Sequence, residues 1–366
     1  MKKMLKRLSV VLALVLALGA FASCGKTPAS GAASGSTSTA STSAVPEKEA
    51  HEPGLFVDGV KVEADPIMTV DGKDVSFDAY RYYYLTMRDR ISGGDETLWT
   101  GDEAKEASEA LKEYVRQNML SLYAFEKLAA DNKITLTDEE IKNIDDGLAT
   151  VKEQMGGEEA FAKALASQYY TADTYRTLTL NSVLDSKVLA TLYGDDIRAD
   201  VTKNYVHAQH ILVKFPEEAA TSAAASTATS ASVAPADHSA ELAKAKDILA
   251  KINAGEDFEA LMTEFNDDTG EPAEGYHFTT GKMVPEFETA AFALAENEVS
   301  DIVETNYGYH IIRRLPIDAA YVDQNLTSLM SDTIIAKVDA DLNAIVEKLT
   351  VTFSDAYEKV APDTMF

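Results

Sequence analysis

The residues with the clearest chemical potential are histidines set inside apolar, β-branched runs. One run is Val206-His207-Ala208-Gln209-His210-Ile211-Leu212-Val213-Lys214-Phe215, and the other is Gly308-Tyr309-His310-Ile311-Ile312-Arg313-Arg314. Each reads as a buried strand, where an imidazole can offer a hydrogen bond or a proton near neutral pH. His207 and His210 cannot share a metal ion, because residues three apart on a strand face opposite sides of a sheet. His207 is therefore incidental, and strand alternation likewise turns His277 away from its neighbour Phe278. Taken singly, a strand histidine is most often a satisfied core group and Asp268 a loop aspartate. Met283 and Phe287 would be ordinary core residues, so any chemistry rests on how these residues are combined.

The elements that must position them follow from the pattern. The first strand ends at Phe215-Pro216. Residues Ala219 to Ala236 are Ala, Ser or Thr except for Val233 and Pro235, which reads as a disordered insert spanning 217–238. Leu242, Ala245, Leu249 and Ile252 mark a helix stopped near Gly255, and Phe258, Leu261, Met262 and Phe265 mark a second. A short strand is predicted from Gly275 to Thr280. Pro285 suits the first position of a third helix carrying Phe287, Ala291 and Leu294. Asp301 to Thr305 and Tyr309 to Arg314 form a final hairpin, giving the order β-α-α-β-α-β-β.

That order, with the segment Gly281-Lys282-Met283-Val284-Pro285-Glu286-Phe287 between the two histidine strands, resembles the parvulin family of peptidyl-prolyl cis/trans isomerases. The resemblance is most specific from Gly281 to Ile312. It implies that His210 and His310 are paired central histidines and that Thr305 supplies a hydroxyl beside them. It further implies that Asp268, in Phe265-Asn266-Asp267-Asp268, takes the place of a catalytic Asp or Cys. Phe278, Met283 and Phe287 match the pocket that holds a substrate proline ring. No bond breaks in such a reaction, so the resemblance implies no cofactor, metal or nucleophile. The family's Gly-Gly-Asp-Leu-Gly stretch is here Pro272-Ala273-Glu274-Gly275-Tyr276, so one apolar pocket wall is missing or rebuilt. The insert carries no Lys or Arg, and no selectivity for phosphoserine-proline is expected.

The rest of the chain says where such an activity works. Lys2, Lys3, Lys6 and Arg7 precede an apolar stretch from Leu8 to Leu18, too short for a confident membrane span. Phe21-Ala22-Ser23-Cys24 is similar to a bacterial lipobox and marks Cys24 as the lipidation site after a 1–23 signal peptide. The segment 24–54 reads as a flexible Ser/Thr/Ala/Gly tether. The formal charge of −27 argues against nucleic acid, since no basic stripe exists to neutralise phosphates.

Residues 55–204 read as a helical, chaperone-like domain. It has an Asp71-Gly72 hairpin, an aromatic stripe through Tyr80 and Tyr84, a Thr137/Glu140 capping box, a stop at Gly156-Gly157, and a helix from about Thr171 to Leu192. The stripe around Arg81-Tyr82-Tyr83-Tyr84 reads as core on one face, while surface tyrosines and Trp99 could offer a platform for unfolded chains. The isomerase-like segment spans 205–316. Asp318 to Lys348 is predicted as one helix of about 30 residues and roughly 45 Å, followed by a strand at Val351 to Phe353. This 317–366 segment would return to the N-terminal helices. The expected fold class is α+β, a discontinuous helical domain with a parvulin domain inserted.

The layout resembles PrsA-type foldase lipoproteins and SurA-type chaperones. It implies an extracytoplasmic, lipid-anchored isomerase acting on unfolded or newly secreted chains with X-Pro bonds. The alternative is an anchored chaperone whose parvulin domain binds chains with little isomerase activity. A solute-capturing lipoprotein would need two similar α/β lobes, and only one β-rich segment is present. The sequence sets no oligomeric state.

Overall fold

The computed structural model describes residues 53–101, 104–216 and 237–366. The signal segment, Cys24, the tether up to residue 52 and residues 217–236 of the insert lie outside the described residues. In chain order the strands are β1 (Leu55–Val57), β2 (Val60–Val62), β3 (Met68–Val70), β4 (Lys73–Val75), β5 (Tyr205–Lys214), β6 (Tyr276–Thr279), β7 (Val303–Glu304), β8 (Gly308–Leu315) and β9 (Val351–Phe353). The helices are α1 (Phe77–Ser92), α2 (Ala104–Asp131), α3 (Asp138–Gln154), α4 (Glu158–Ser167), α5 (Ala172–Asn204), α6 (Ser239–Asn253), α7 (Phe258–Phe265), α8 (Pro285–Ala293), α9 (Ala319–Gln324) and α10 (Asp332–Val346). The fold is α+β and divides into two compact units. One holds the chain up to Tyr193 together with Asp332–Phe366, and the other holds Gly194–Ser331.

In the helical unit, Asp71 and Gly72 take φ of 49° and 79°, the left-handed pair that closes a two-residue hairpin between β3 and β4. β9 adds to the other edge of β3, with Val70 opposite Val351. Asp71 ties the two ends further by accepting from the Thr350 amide at 2.7 Å. Ser76 caps α1 by accepting from the Ala79 amide, and Gly93 ends it in the left-handed region. Thr137 and Glu140 form a reciprocal capping box on α3. Tyr80, Tyr84 and Leu85 of α1 join Leu111, Val115 and Met119 of α2 in one core, closed by Tyr357, Val360 and Met365 from the chain's last segment. Each such fully buried apolar side chain contributes roughly 1.5–3 kcal/mol.

The aromatic stripe is core, as its helical spacing suggests: Tyr80 and Tyr84 are fully buried, and Tyr82 stacks on Tyr170 with ring centroids 4.0 Å apart. Trp99 also packs against this core. The single helix predicted from Asp318 to Lys348 is two helices. Asn325 ends α9, its side-chain amide donating back to the Tyr321 carbonyl while the Ser328 and Leu329 amides fold onto the Asn325 carbonyl. α9 therefore lies in the second unit, whereas α10 packs on α2 in the first. Conversely, α5 runs past the predicted Leu192 to Asn204, and β5 follows without a loop.

The second unit is built on an antiparallel sheet in the order β6-β5-β8-β7. Alternation along β5 and β8 gives each face its own core. Ile211, Val213, Tyr309 and Ile311 pack against Ala245 and Ile248 of α6 and Phe258 and Leu261 of α7. Val206, Ala208 and Ile312 pack against Phe278 of β6 and Phe287 and Ala291 of α8. Pro285 opens α8, where its missing amide proton costs no hydrogen bond. At the end of the insert, Asp237 and His238 are placed in the structure, contrary to an insert disordered through 238. Asp237 accepts from the Ser239 amide, and the His238 ring stacks on Phe215 at 3.7 Å.

Candidate active site

Strand parity decides which histidines meet. His210 pairs with Ile312 and Leu212 with His310 across β5 and β8, so His210 and His310 are diagonal neighbours on one face. Their ring centroids are 5.1 Å apart. His207 points to the other face, stacked on His277 at 3.8 Å. Its ring nitrogens lie 2.7 and 2.6 Å from the carbonyl oxygens of Pro316 and Glu274.

β6 covers β5 only as far as Ala208, which leaves the amides of His210, Leu212 and Lys214 on an open edge. Side chains of the loop after α7 take the place of a strand there. His210 N–H donates to Glu271 Oε1 at 2.9 Å, Leu212 N–H to Asn266 Oδ1 at 2.8 Å, and Lys214 N–H to Asp267 Oδ2 at 3.0 Å. The Asp267 amide returns a bond to the Leu212 carbonyl at 2.9 Å. This docking carries Asp268 to the histidines: its Oδ2 lies 3.5 Å from His210 Nε2. Asp268 is held in turn by the Gly270 amide at 3.0 Å and by the Tyr276 hydroxyl at 3.1 Å.

These groups face a cleft of about 530 Å³ whose lining includes His210, His310, Asp268, Met283, Phe287 and Tyr276. Leu212, Val284 and Tyr307 add apolar surface to its walls. Phe287 sets its edge against both imidazoles, with centroid distances of 5.2 and 5.3 Å. Of the residues singled out in the sequence, two do not reach the cleft wall. Phe278 is buried behind Phe287, 5.9 Å from its ring centre. Thr305 is buried beneath His310 and is joined to its Nε2 at 2.9 Å.

Several residues of the site escaped sequence reasoning. Tyr276 lines the cleft and donates its hydroxyl to Asp268. Gly275 has φ of +91°, and a Cβ there would meet the Ala208 carbonyl oxygen at 2.5 Å. The backbone thus lies hard against β5 and turns Tyr276, in register with Ala208, into the cleft. Glu271 has a side chain only 1 % exposed. Lys214 and Lys282 also line the cleft, so it is not without positive charge, although Asp267 and Asp268 line it too. The Gly-Tyr pair in place of Leu-Gly was the one visible signal for this rearrangement.

Burial sets the electrostatics. It pushes His210 down to about 4 against the opposing pull of Asp268. His310 falls to about 4 through burial and the neighbouring His210, again opposed by Asp268. Both rings are neutral near pH 7. Burial raises Glu271 to about 7, opposed by its bonds from the His210 amide and Asn266. Tyr276 is pushed up to about 12, first by burial and then by Asp268, so it stays a donor. Among the described residues no group of His, Cys, Asp and Glu is arranged to hold a metal ion.

Residues 196–315 match the family model of the PPIC-type PPIASE domain, so the second unit carries a parvulin-type domain. Beyond it, the chain is similar to foldase protein PrsA of Oceanobacillus iheyensis, 30% identical over 217 residues, which cover 57% of this chain and 62% of that one. It is also 35% identical over 129 residues to foldase protein PrsA of Geobacillus kaustophilus, covering 28% of this chain and 46% of the other. Foldase protein PrsA 3 of Bacillus cereus is 49% identical over 72 residues, or 19% of this chain and 25% of the relative. The matches thus span less than two thirds of these relatives' lengths.

Proposed function

We propose that the protein is a peptidyl-prolyl cis/trans isomerase and foldase that acts outside the cytoplasm on unfolded or newly secreted chains. The observation that carries this reading is the cleft, in which Met283 and Phe287 stand opposite a neutral His210/His310 pair with Asp268 beside it. Rotation about a peptide bond faces a barrier of ~18–20 kcal/mol because resonance holds the amide planar. The planar amide is more dipolar than the twisted one, so moving it from water to an apolar cleft favours twisting. An apolar grip on the prolyl ring also fixes one side of the bond while the other turns. As the amide twists, its nitrogen regains a lone pair, and the polar wall offers it and the carbonyl hydrogen-bonding groups. Lowering the barrier by about 5 kcal/mol would speed exchange several thousand-fold.

On this reading His210, His310 and Asp268 touch the reacting amide, Thr305 holds His310, and Phe278 supports Phe287 from behind. The test is NMR exchange on a short Ala-Pro peptide with the full chain. Faster exchange between the isomers, reduced by His210→Ala in a folded variant, is the expected result. Unchanged exchange would overturn the enzyme reading and favour a chaperone that binds chains through the same cleft.

Among the described residues no helix is long and apolar enough to cross a membrane. The lipobox-like Phe21-Ala22-Ser23-Cys24 supports attachment through a lipid on Cys24, with the chain held on the outer face of a bacterial cytoplasmic membrane. Cys24→Ala should move the protein from the membrane fraction to the soluble one, and retention in the membrane fraction would contradict the anchor. The proposed layout is a helical domain of the described residues up to Tyr193 with Asp332–Phe366, and an isomerase domain within Gly194–Ser331.

A further inference from the structure

We propose that Glu271 is a positioning residue that decides, by keeping or releasing its proton, which ring nitrogen of His210 carries hydrogen. The inference rests on the isomerase reading of the same cleft. The His210 ring is sandwiched between two carboxyl groups. Asp268 Oδ2 lies 3.5 Å from Nε2 and Glu271 Oε1 lies 3.6 Å from Nδ1, both just beyond hydrogen-bond length. His210 is 4% exposed, and neither ring nitrogen has another partner.

Glu271 is fixed in place from outside the ring. Its Oε1 accepts from the His210 amide at 2.9 Å and its Oε2 from Asn266 Nδ2 at 2.7 Å. It does not line the cleft, so it acts on a substrate through the residues beside it, His210 foremost. The groups that face it are His210 on β5, Asp268 and Asn266 on its own loop, Tyr276 on β6 and, across the His210 ring, His310 on β8.

A neutral imidazole has one N–H and cannot serve two carboxylates at once. With Glu271 protonated, its O–H faces the Nδ1 lone pair and the ring's Nε2–H is directed at the Asp268 carboxylate. Each proton then has one acceptor, and the Asp268–His210 pair is held as a unit. When Glu271 loses its proton, Nδ1–H turns to the new carboxylate. The Nε2 lone pair then opposes the charge on Asp268. One proton on Glu271 therefore sets the polarity of the wall that a twisting amide meets. Burial places that ionisation at about pH 7, while His210 stays neutral throughout.

The full chain, labelled with ¹⁵N in its histidine rings, tests this directly. The His210 signals are assigned by comparison with His210→Asn and followed from acid to alkaline pH. The expected result is conversion from the Nε2–H to the Nδ1–H tautomer, with a midpoint near the value of about 7 given by the buried acid. Glu271→Gln removes the titrating proton, so the ring should keep one tautomer throughout the range above about 4, the value at which the ring itself takes up a proton. The pH dependence of the peptide exchange rate over the same range should be lost with it. A single wild-type tautomer at all pH values, or a midpoint that survives in Glu271→Gln, would overturn the proposal. If Glu271→Gln does not fold, the wild-type titration decides alone. If the wild type does not speed peptide exchange, the isomerase reading fails, while the ring-nitrogen shifts still answer the question of Glu271.

Discussion

In the helical unit, charged side chains that are buried reach across long stretches of sequence to a partner. Arg81 donates to the main-chain oxygens of Phe366 at 2.5 Å and Tyr169 at 2.9 Å. Arg88 donates to the Pro362 carbonyl at 3.3 Å, and the Lys112 ammonium sits 4.9 Å from the centre of the Tyr357 ring. In the parvulin-type unit, both His210 nitrogens and His310 Nδ1 are buried without a hydrogen bond, and their rings line a cleft. A buried polar group without a partner costs roughly 1–3 kcal/mol. The first unit uses buried charge to staple its ends together. The second keeps hydrogen-bonding capacity in reserve for whatever enters the cleft. The helical unit departs from this pattern at the Tyr80 and Tyr84 hydroxyls and at Asp185, a buried carboxyl with an unpaired oxygen, pushed up to about 8 first by burial and then by Glu126.

The contrast can be broken at its strongest point by cutting into the helical core. Leu342 on α10 is fully buried, so Leu342→Ala should cost about 2–5 kcal/mol of that unit's stability. Hydrogen exchange should quicken in α2 and α10, with little change in β5 and β8. If the protection of β5 and β8 falls equally, the two units are not independent in stability.

A smaller effect is expected from Phe287→Ala, which strips the cleft's floor. Peptide exchange should slow by about a hundredfold, equivalent to ~2.7 kcal/mol in the barrier. Hydrogen exchange in the helical unit should not move. A rate that survives the substitution would remove Phe287 from the proposed proline grip.

The smallest effect comes from acid. His210, His277 and His310 are all lowered to about 4 by burial, so their neutral forms stabilise the fold above the ordinary histidine range near 6.5. That contribution is lost as the pH falls through about 4. Between pH 6.5 and 4.5 the parvulin-type unit should lose stability, a loss that Glu271, raised to about 7, partly offsets because a raised carboxyl stabilises the fold as the pH falls. The helical unit has no histidine among its described residues, and its buried Asp185, raised to about 8, should if anything add stability over that interval. Equal loosening of both units would erase the distinction.

Much of this molecule was legible in local pattern. Strand alternation set His207 apart from His210 and His277 apart from Phe278, because side-chain direction on a strand has period two wherever the strand lies, while the pairing of His210 with His310 was read from the match to a known motif. Asp71-Gly72, Thr137 with Glu140, and Pro285 fixed a hairpin and two helix starts through their own backbone geometry. Met283 and Phe287 were identified by their match to a known motif, and both line the cleft.

Tertiary structure alone decided the rest. The break after Gln324 depends on Asn325 bonding backward while α9 and α10 find separate cores, and helical periodicity across 318–348 carried no trace of it. Phe278 and Thr305 support the site from beneath because other side chains cover them. Glu271 read as one acidic residue among many in a chain of net charge −27. Its burial and its place beside His210 arise only when the 266–271 loop docks on the open edge of β5. The physical reason is that periodicity and capping are set by neighbours in sequence. Desolvation, and with it pKa and reactivity, depends on which distant segment comes to lie on top.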